Sequence, residues 1–318
     1  MVSKLSLALR IVVVLFPIVS GALLTGFGAN KLNEAYIVPS KLRTNPYGFL
    51  IFSTMNLPKG NTKAHFWIDE ISLNERAASV NMHYEFKVDP PSSGEQVVGF
   101  QIPYYCDFLK FSIGNQTETV EVSKVETVHL EDGNPKDPTS EKANTTLIYA
   151  RFSSPSLVEK YSGDLVFTWK GLITKEDFSN YKLSIPLADS SGDTHKKVLE
   201  YCPNASVYFE DTLVKIAIQM PENCEYKSSI IPPVQELAQT SQTQSYILWN
   251  IVNPNVMGTP GTTYHFTMSF ENNVESELRD HLLFDSGLYM GLGVSLIFGG
   301  VYEAIKICTD IVKERRKT

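Results

Sequence analysis

Two uncharged apolar runs, one near each end of the chain, limit what this sequence can fold into more than any other feature. The first covers residues 11–30, between Arg10 and Lys31, and the second covers residues 286–302. A helix rises about 1.5 Å per residue, so twenty residues cover roughly 30 Å, the thickness of a hydrocarbon core. The second run is shorter and needs flanking side chains that reach the interface. We therefore predict transmembrane helices at residues 11–30 and 286–305.

The N-terminal run has a second interpretation, as a cleaved signal peptide. Lys4 and Arg10 supply a positive n-region, and Gly26 and Gly28 offer small residues for cleavage. A signal core is typically about 7–15 residues, however, and this run is longer and has no Ala-x-Ala site. We favour an uncleaved signal-anchor and keep removal of residues 1–28 as the alternative.

Basic residues at both ends predict the orientation. Lys4 and Arg10 precede the first span, and five lysines and arginines follow the second. Because positive flanks stay cytoplasmic, we expect residues 1–10 and the basic tail, residues 306–318, inside. Residues 31–285 then lie outside, at the cell surface or in a lumen. The whole chain has a net charge of −7, and the outer segment is more acidic still because both flanks are positive, which argues against nucleic acid as a partner.

The outer segment, residues 31–272, has the alternation typical of strands. Apolar side chains occupy every second position of residues 80–88, 181–187 and 264–270. About a dozen such segments are separated by turn-forming Gly, Pro, Ser and Asp clusters. Pro186 indicates either an edge strand or the end of a strand. We predict a mainly β fold: an antiparallel β-sandwich ectodomain, as one or two sandwiches, between an N-terminal and a C-terminal transmembrane helix.

Within the outer segment, apolar residues at helical spacing occur only at residues 273–285. Val274, Leu278 and Leu282 share one face, and either Asn272 or Asn273 is a suitable N-cap with acidic residues in the first turn. We predict a juxtamembrane helix that continues without a break into the second span.

The cysteines suggest one disulfide. Cys202 and Cys224 bracket a predicted hairpin with strands at residues 205–209 and 213–220, and a bridge between them would close its base. In an oxidising compartment a loop of this size gains about 3 kcal/mol from such a bridge. Cys106 is left as a buried thiol or an alternative mate, and Cys308 as a reduced thiol or a lipidation position.

Three N-x-[ST] sequons lie in the outer segment, at Asn115, Asn144 and Asn204. Each is flanked by turn-forming residues, and glycosylation takes place on the outer side of a membrane. They therefore predict a glycoprotein.

No sequence pattern predicts catalysis or a resident cofactor. The six histidines form no H-x-x-x-H pair, and the chain has no Cys-x-x-Cys, G-x-S-x-G or phosphate-loop motif. The acidic loop at residues 131–137 fits an Asp-Gly turn better than a calcium loop. We expect no cofactor and no metal and lean against an enzyme. An ectoenzyme with scattered catalytic residues is the third interpretation.

Small residues recur every four positions in both spans. Small side chains let membrane helices approach closely, because lipid supplies no hydrophobic force between them. We predict that these faces pack the two spans together, or pack one of them against a second copy or another membrane subunit. The positions are Gly287, Gly291, Ser295 and Gly299 in the second span, and Gly21, Thr25 and Ala29 in the first.

Two spans around a large outer domain resemble, in topology alone, the trimeric ligand-gated and epithelial-type cation channels. The resemblance implies a channel or transport subunit, with Asp285 and Ser295 as its candidate pore-lining residues. Those channels carry a dense ectodomain cysteine pattern, which this sequence lacks. We therefore expect first a non-enzymatic surface protein whose ectodomain binds a protein or glycan partner, or an accessory subunit of a membrane complex. A channel subunit is the alternative.

Overall fold

The computed structural model describes most of the chain, in two compact units that we treat separately. One unit contains the terminal helices and residues 177–179, and the other contains the strands. The described residues are 4–36, 48–58, 61–91, 93–115, 119–132, 143–154, 158–188, 198–208, 212–230, 239–242, 246–251 and 264–316.

Strands dominate the second unit, interrupted by a helical turn at residues 198–201. They are β1 (Leu50–Ser53), β2 (Thr62–Ser72), β3 (Ala77–Lys87), β4 (Gly94–Pro103), β5 (Tyr105–Asn115), β6 (Val122–Asp132), β7 (Ala143–Ser154), β8 (Lys160–Lys170), β9 (Ile173–Lys175), β10 (Asn180–Ala188), β11 (Ser206–Tyr208), β12 (Thr212–Gln219), β13 (Cys224–Ile230), β14 (Gln239–Gln242), β15 (Tyr246–Ile251) and β16 (Tyr264–Asn272).

These strands form three sheets. Their strand orders are β11-β1-β4-β7-β6, β13-β16-β10-β9 and β14-β15-β12-β2-β3-β8-β5. Every described pairing is antiparallel except that of β2 with β12, which is parallel. The prediction of a mainly β, antiparallel unit between two terminal helices is confirmed.

Strand β3 shows how the alternation builds the core. Val80, Met82, Tyr84 and Phe86 are each at most 1% exposed, while the residues between them are partly or fully exposed. Side chains from all three sheets, among them Phe66 of β2, meet in one hydrophobic cluster. Burial of these alternate positions is the main force that holds the sheets, since water expels apolar surface.

The predicted hairpin at residues 205–220 is wrong. Its first strand, β11, pairs with β1 in the five-stranded sheet. Its second strand, β12, pairs with β2 and β15 in the seven-stranded sheet. Alternation identified both strands, but pairing is decided by complementarity between segments far apart in sequence, and the parallel partner of β12 lies about 150 residues earlier.

Pro186 lies near the end of β10, which is an interior strand. Both interpretations of this proline hold locally, because it lies near the end of the strand and β10 pairs there with β16 only. β9 pairs only with the first residues of β10, and the carbonyl of Pro186 accepts a hydrogen bond from the amide of Phe49 at 3.0 Å. Since N and C=O of one strand residue point the same way, the missing N–H faces no strand of this sheet.

The helical unit consists of α1 (Lys4–Ala35) and α2 (Asn273–Arg315). α2 begins directly after β16 and runs unbroken through the second apolar run. Over Leu9–Ala35 and Asn273–Lys313, both helices are long and apolar enough to cross a bilayer, by length and composition. They pack side by side in opposite directions, as the contacts below show.

Candidate functional site

The contact between α1 and α2 is lined by small residues spaced seven apart. Gly21 and Gly28 of α1 and Ser286, Gly293 and Gly300 of α2 are buried, and we call this set the helix seam. A Cβ built on Gly21 would lie 2.5 Å from the Gly293 carbonyl oxygen, and one built on Gly28 would lie 2.9 Å from the Ser286 carbonyl oxygen. Only glycine permits such backbone approach.

A seven-residue repeat keeps two nearly parallel helices in contact over their whole length, because 3.5 residues per turn matches a gentle left-handed crossing. Every member of the helix seam on α2 was missed by sequence reasoning. The spacing Ser286, Gly293, Gly300 was visible, but a four-residue ladder on the same helix gave the stronger signal.

That four-residue ladder lies on another side of α2. In the described part of the chain, and apart from the neighbouring backbone of α2 itself, no heavy atom lies within 4 Å of a Cβ built on Gly287, Gly291 or Gly299. Ser295 is exposed, and its hydroxyl donates to the Gly291 carbonyl at 2.8 Å. We call Gly287, Gly291, Ser295 and Gly299 the outer face of α2.

The three residues predicted on α1 are divided in the same way. Gly21 lies in the helix seam, and Thr25 contacts the Cβ position of Gly293. Ala29 is exposed. The structure therefore brings Gly21 and Thr25 to α2, and it leaves Ala29 and the outer face of α2 away from the helix seam.

Large apolar side chains cover the remaining surface of both helices. Phe16, Leu23 and Phe298 are each about 70% exposed. Near one end of the pair, Phe27 and Tyr289 meet edge to face at 5.0 Å, and the Lys31 ammonium lies 5.9 Å from the Phe27 ring centre. Exposed apolar belts with aromatic and basic residues at their margins are typical of membrane helices.

The predicted disulfide is not formed. No disulfide joins Cys106, Cys202, Cys224 and Cys308. Cys202 is buried in a small cluster with Phe52 and Tyr149, whereas Cys224 of β13 packs at the margin of the main core. The bridge was inferred from a hairpin that does not exist. Burial raises the pKa of the Cys202 thiol, and that of the fully buried Cys106 rises well above its usual range.

The sequons occupy three different settings. Asn204 is exposed in a turn after the helical turn at 198–201. Asn115 is the last residue of β5 and is half-buried, and the rest of its sequon lies outside the described residues. Asn144 lies within β7 opposite Glu131, and the hydroxyl-bearing residue of its sequon, Thr146, is buried.

A polar row crosses the seven-stranded sheet. Lys215, His65, His83, Asp164 and Ser112 are successive partners on β12, β2, β3, β8 and β5. The Nδ1 atom of His83 lies 2.9 Å from an Asp164 carboxylate oxygen, and the Ser112 hydroxyl accepts the Asp164 amide at 3.1 Å. Hydrogen bonds therefore join His83, Asp164 and Ser112, while the Nε2 atom of His65 is buried without a hydrogen-bond partner among the described residues.

Burial lowers the pKa of His65, and Lys215 and His83 lower it further. Burial also lowers the pKa of His265, whose Nδ1 lies 3.2 Å from the Ser184 hydroxyl, with a smaller effect from Lys182. Both rings are therefore neutral at pH 7. Among the described residues, no three His, Cys, Asp or Glu side chains are grouped to hold a metal ion.

Comparison with known proteins gives remote structural likeness only. No family model matches this sequence, and no curated protein matches it. A putative nutrient binding protein from Legionella pneumophila has a TM-score of 0.37 at 6% identity, covering 74% of this chain and 75% of that one. An M1 zinc metallopeptidase from Deinococcus radiodurans gives 0.32 at 8%, covering 68% and 42%.

Leukotriene A4 hydrolase from Saccharomyces cerevisiae gives a TM-score of 0.32 at 9% identity, covering 67% of this chain and 29% of that one. The chain thus spans less than half the length of either of these two enzymes. Likeness this remote carries no argument about activity, substrate or metal, since one architecture serves many unrelated functions.

Proposed function

We propose that this chain is a non-enzymatic, two-span membrane protein with a β-sandwich ectodomain. The ectodomain binds a protein or glycan partner, or the chain serves as an accessory subunit of a membrane complex. The observation that carries the proposal is the outer face of α2, which α1 does not cover. In lipid, close approach over small residues is what joins helices, so this face suits another transmembrane helix.

Membrane insertion is supported by the register of the helix pair. Gly21, at the middle of the first apolar run, lies against Gly293, at the middle of the second. The two runs therefore reach the same depth, and the charged residues that flank them lie at the same two levels. We propose that both termini are cytoplasmic, since the basic residues concentrate at that end, and that residues 31–285 lie outside.

The sandwich assignment is supported by the shared core. The five-stranded, four-stranded and seven-stranded sheets all send alternate side chains into one cluster. On the outer side of a membrane, Asn204 is the sequon best suited to carry a glycan, because its side chain is exposed in a turn.

The test is the assembly state of the full chain extracted in mild detergent. Gly291→Leu fills the outer face, and Val19→Leu adds a methylene to an exposed position of α1 as the matched control. We expect the wild type and Val19→Leu to migrate with a second copy or a stoichiometric partner. Gly291→Leu should weaken that association about ten-fold, the scale of about 1–2 kcal/mol for one membrane helix contact.

The proposal fails if the wild type extracts as a single chain without a partner, or if Gly291→Leu assembles as the wild type does. Turnover of any substrate by the full chain would contradict its non-enzymatic part.

A further inference from the structure

A cavity of about 290 Å³ lies between α1 and α2 at the end of the helix pair that carries both chain termini. Four charged side chains line it: Arg10 from α1, and Glu303, Lys306 and Asp310 from α2. Its volume is close to the lower limit of about 300 Å³ for small-molecule sites. It is large enough for a small polar group.

The cavity is lined by two positive and two negative side chains, so their charges sum to zero, but only one opposite pair lies within 4 Å. Lys306 lies 3.8 Å from Glu303, a loose pair on one helix. Across the described part of the chain, Arg10 and Asp310 make no ion pair or side-chain hydrogen bond. Arg10 is half-buried, and no described residue pairs with its guanidinium. A half-buried, unpaired charge is costly, and a ligand of opposite charge would relieve that cost.

The position of the cavity limits the ligand, given the membrane insertion proposed above, on which this inference rests. Arg10 directly precedes the first apolar run, and Glu303 directly follows the second. These residues therefore lie where hydrocarbon meets water, the level of lipid headgroups. The remaining lining side chains, Leu9, Val13 and Ile307, are apolar and can contact the start of an acyl chain.

We propose that this cavity binds the headgroup of a phospholipid that carries a phosphate and a primary ammonium, as in phosphatidylethanolamine. The phosphate pairs with Arg10 and Lys306, and the ammonium donates hydrogen bonds to Glu303 and Asp310. A quaternary choline ammonium has no N–H to donate. A phosphatidylglycerol headgroup offers no cation to either carboxylate, so a matching pair of charges favours the ethanolamine lipid.

The test uses the full chain in nanodiscs containing equal parts phosphatidylethanolamine, phosphatidylcholine and phosphatidylglycerol, followed by native mass spectrometry of the lipid that stays bound. We expect one phosphatidylethanolamine to be retained about three- to ten-fold over either competitor, the scale of one or two partly exposed charge pairs. Asp310→Asn should abolish that preference, whereas Arg10→Gln should lower the retention of all three lipids, because each of them carries the phosphate. Lys313→Gln removes a cation from the same helix outside this cavity and should leave it unchanged.

Flotation of each variant with liposomes of the same composition separates this inference from the membrane proposal. A chain that floats but retains the three lipids equally, or prefers phosphatidylglycerol, overturns the headgroup site alone. So does an unchanged preference in Asp310→Asn. A wild-type chain that does not float overturns the membrane proposal and this inference with it.

Discussion

The strand unit and the helix pair are stabilised by side chains of opposite size. Large residues fill the core of the strand unit, with Trp169, Phe66 and Phe167 fully buried. The helix pair is closed by glycines, with Gly21 against Gly293. Water drives large apolar groups into a core, whereas in the membrane proposed for the helix pair lipid gives no such force and favours close backbone contact. Removing volume should therefore damage the strand unit, and adding volume should damage the helix pair.

The largest effect is expected from Trp169→Ala. The indole is 0% exposed, lies 5.7 Å from the Phe167 ring and 5.9 Å from the Phe66 ring, and donates from Nε1 to the Pro103 carbonyl at 2.6 Å. Its removal leaves a cavity and an unpaired carbonyl, which should lower the free energy of unfolding by about 3–5 kcal/mol. Urea unfolding of the full chain, followed by circular dichroism, measures this loss.

Leu109→Ala is the matched control for that loss, since Leu109 of β5 is 61% exposed. It should change the free energy of unfolding by no more than about 0.5 kcal/mol. Equal effects of the two substitutions would contradict the large-residue core.

A smaller effect is expected from Gly293→Leu in the helix seam. A side chain there meets the Gly21 carbonyl oxygen at 2.5 Å and the Thr25 amide nitrogen at 2.7 Å, so the helices must separate. Overpacking of this kind costs about 1–3 kcal/mol. Cysteines at Phe27 and Tyr289, whose rings are in contact, should cross-link within one chain with a short thiol reagent, and Gly293→Leu should reduce the yield.

A glycine-to-leucine substitution two residues earlier, at Gly291, tests whether the effect is specific to the helix seam. Gly291→Leu lies on the outer face of α2 and should leave the cross-link between positions 27 and 289 unchanged. A loss of cross-linking with Gly291→Leu, or none with Gly293→Leu, would reverse the assignment of the two faces.

The smallest effect is expected on the free energy of unfolding when the pH is lowered. The pKa values of His65 and His265 are lowered by burial from the ordinary value of about 6.5, so the folded chain binds their protons less tightly than the unfolded chain. Their contribution to stability is complete above about pH 6.5 and is lost as the pH falls below it. Because both rings are partly exposed, we expect a loss of at most roughly 1 kcal/mol at pH 5.

Hydrogen exchange of the full chain at pH 7 and pH 5, corrected for intrinsic rates, shows which segments lose stability in acid. Strand peptides should lose protection, and His65→Gln should lessen the difference between the two pH values. Helix-seam peptides, which contain no histidine, should show none. Equal loss in both units would show that acid acts on the whole chain rather than on the buried rings.

Most of what could be predicted about the fold came from the local spacing of polar and apolar residues. The alternation at residues 80–88 located β3 and its buried face, and the uncharged runs located both helices. The site was harder to predict. The sequence pointed to Gly21 and Thr25 but not to Gly293. A glycine-rich helix has several faces of small residues, and the spacing of those residues does not show which face packs against the other helix.

The sequence by itself determined which segments are strands, which are apolar helices and which side chains of a strand are buried. These properties follow from the repeat of polar and apolar residues over a few positions. The tertiary structure alone decided that β11 and β12 belong to different sheets and that Cys202 and Cys224 form no disulfide. It also decided that α1 packs against the α2 residues spaced seven apart. Each of these depends on how surfaces distant in the chain fit together, and no local repeat records that fit.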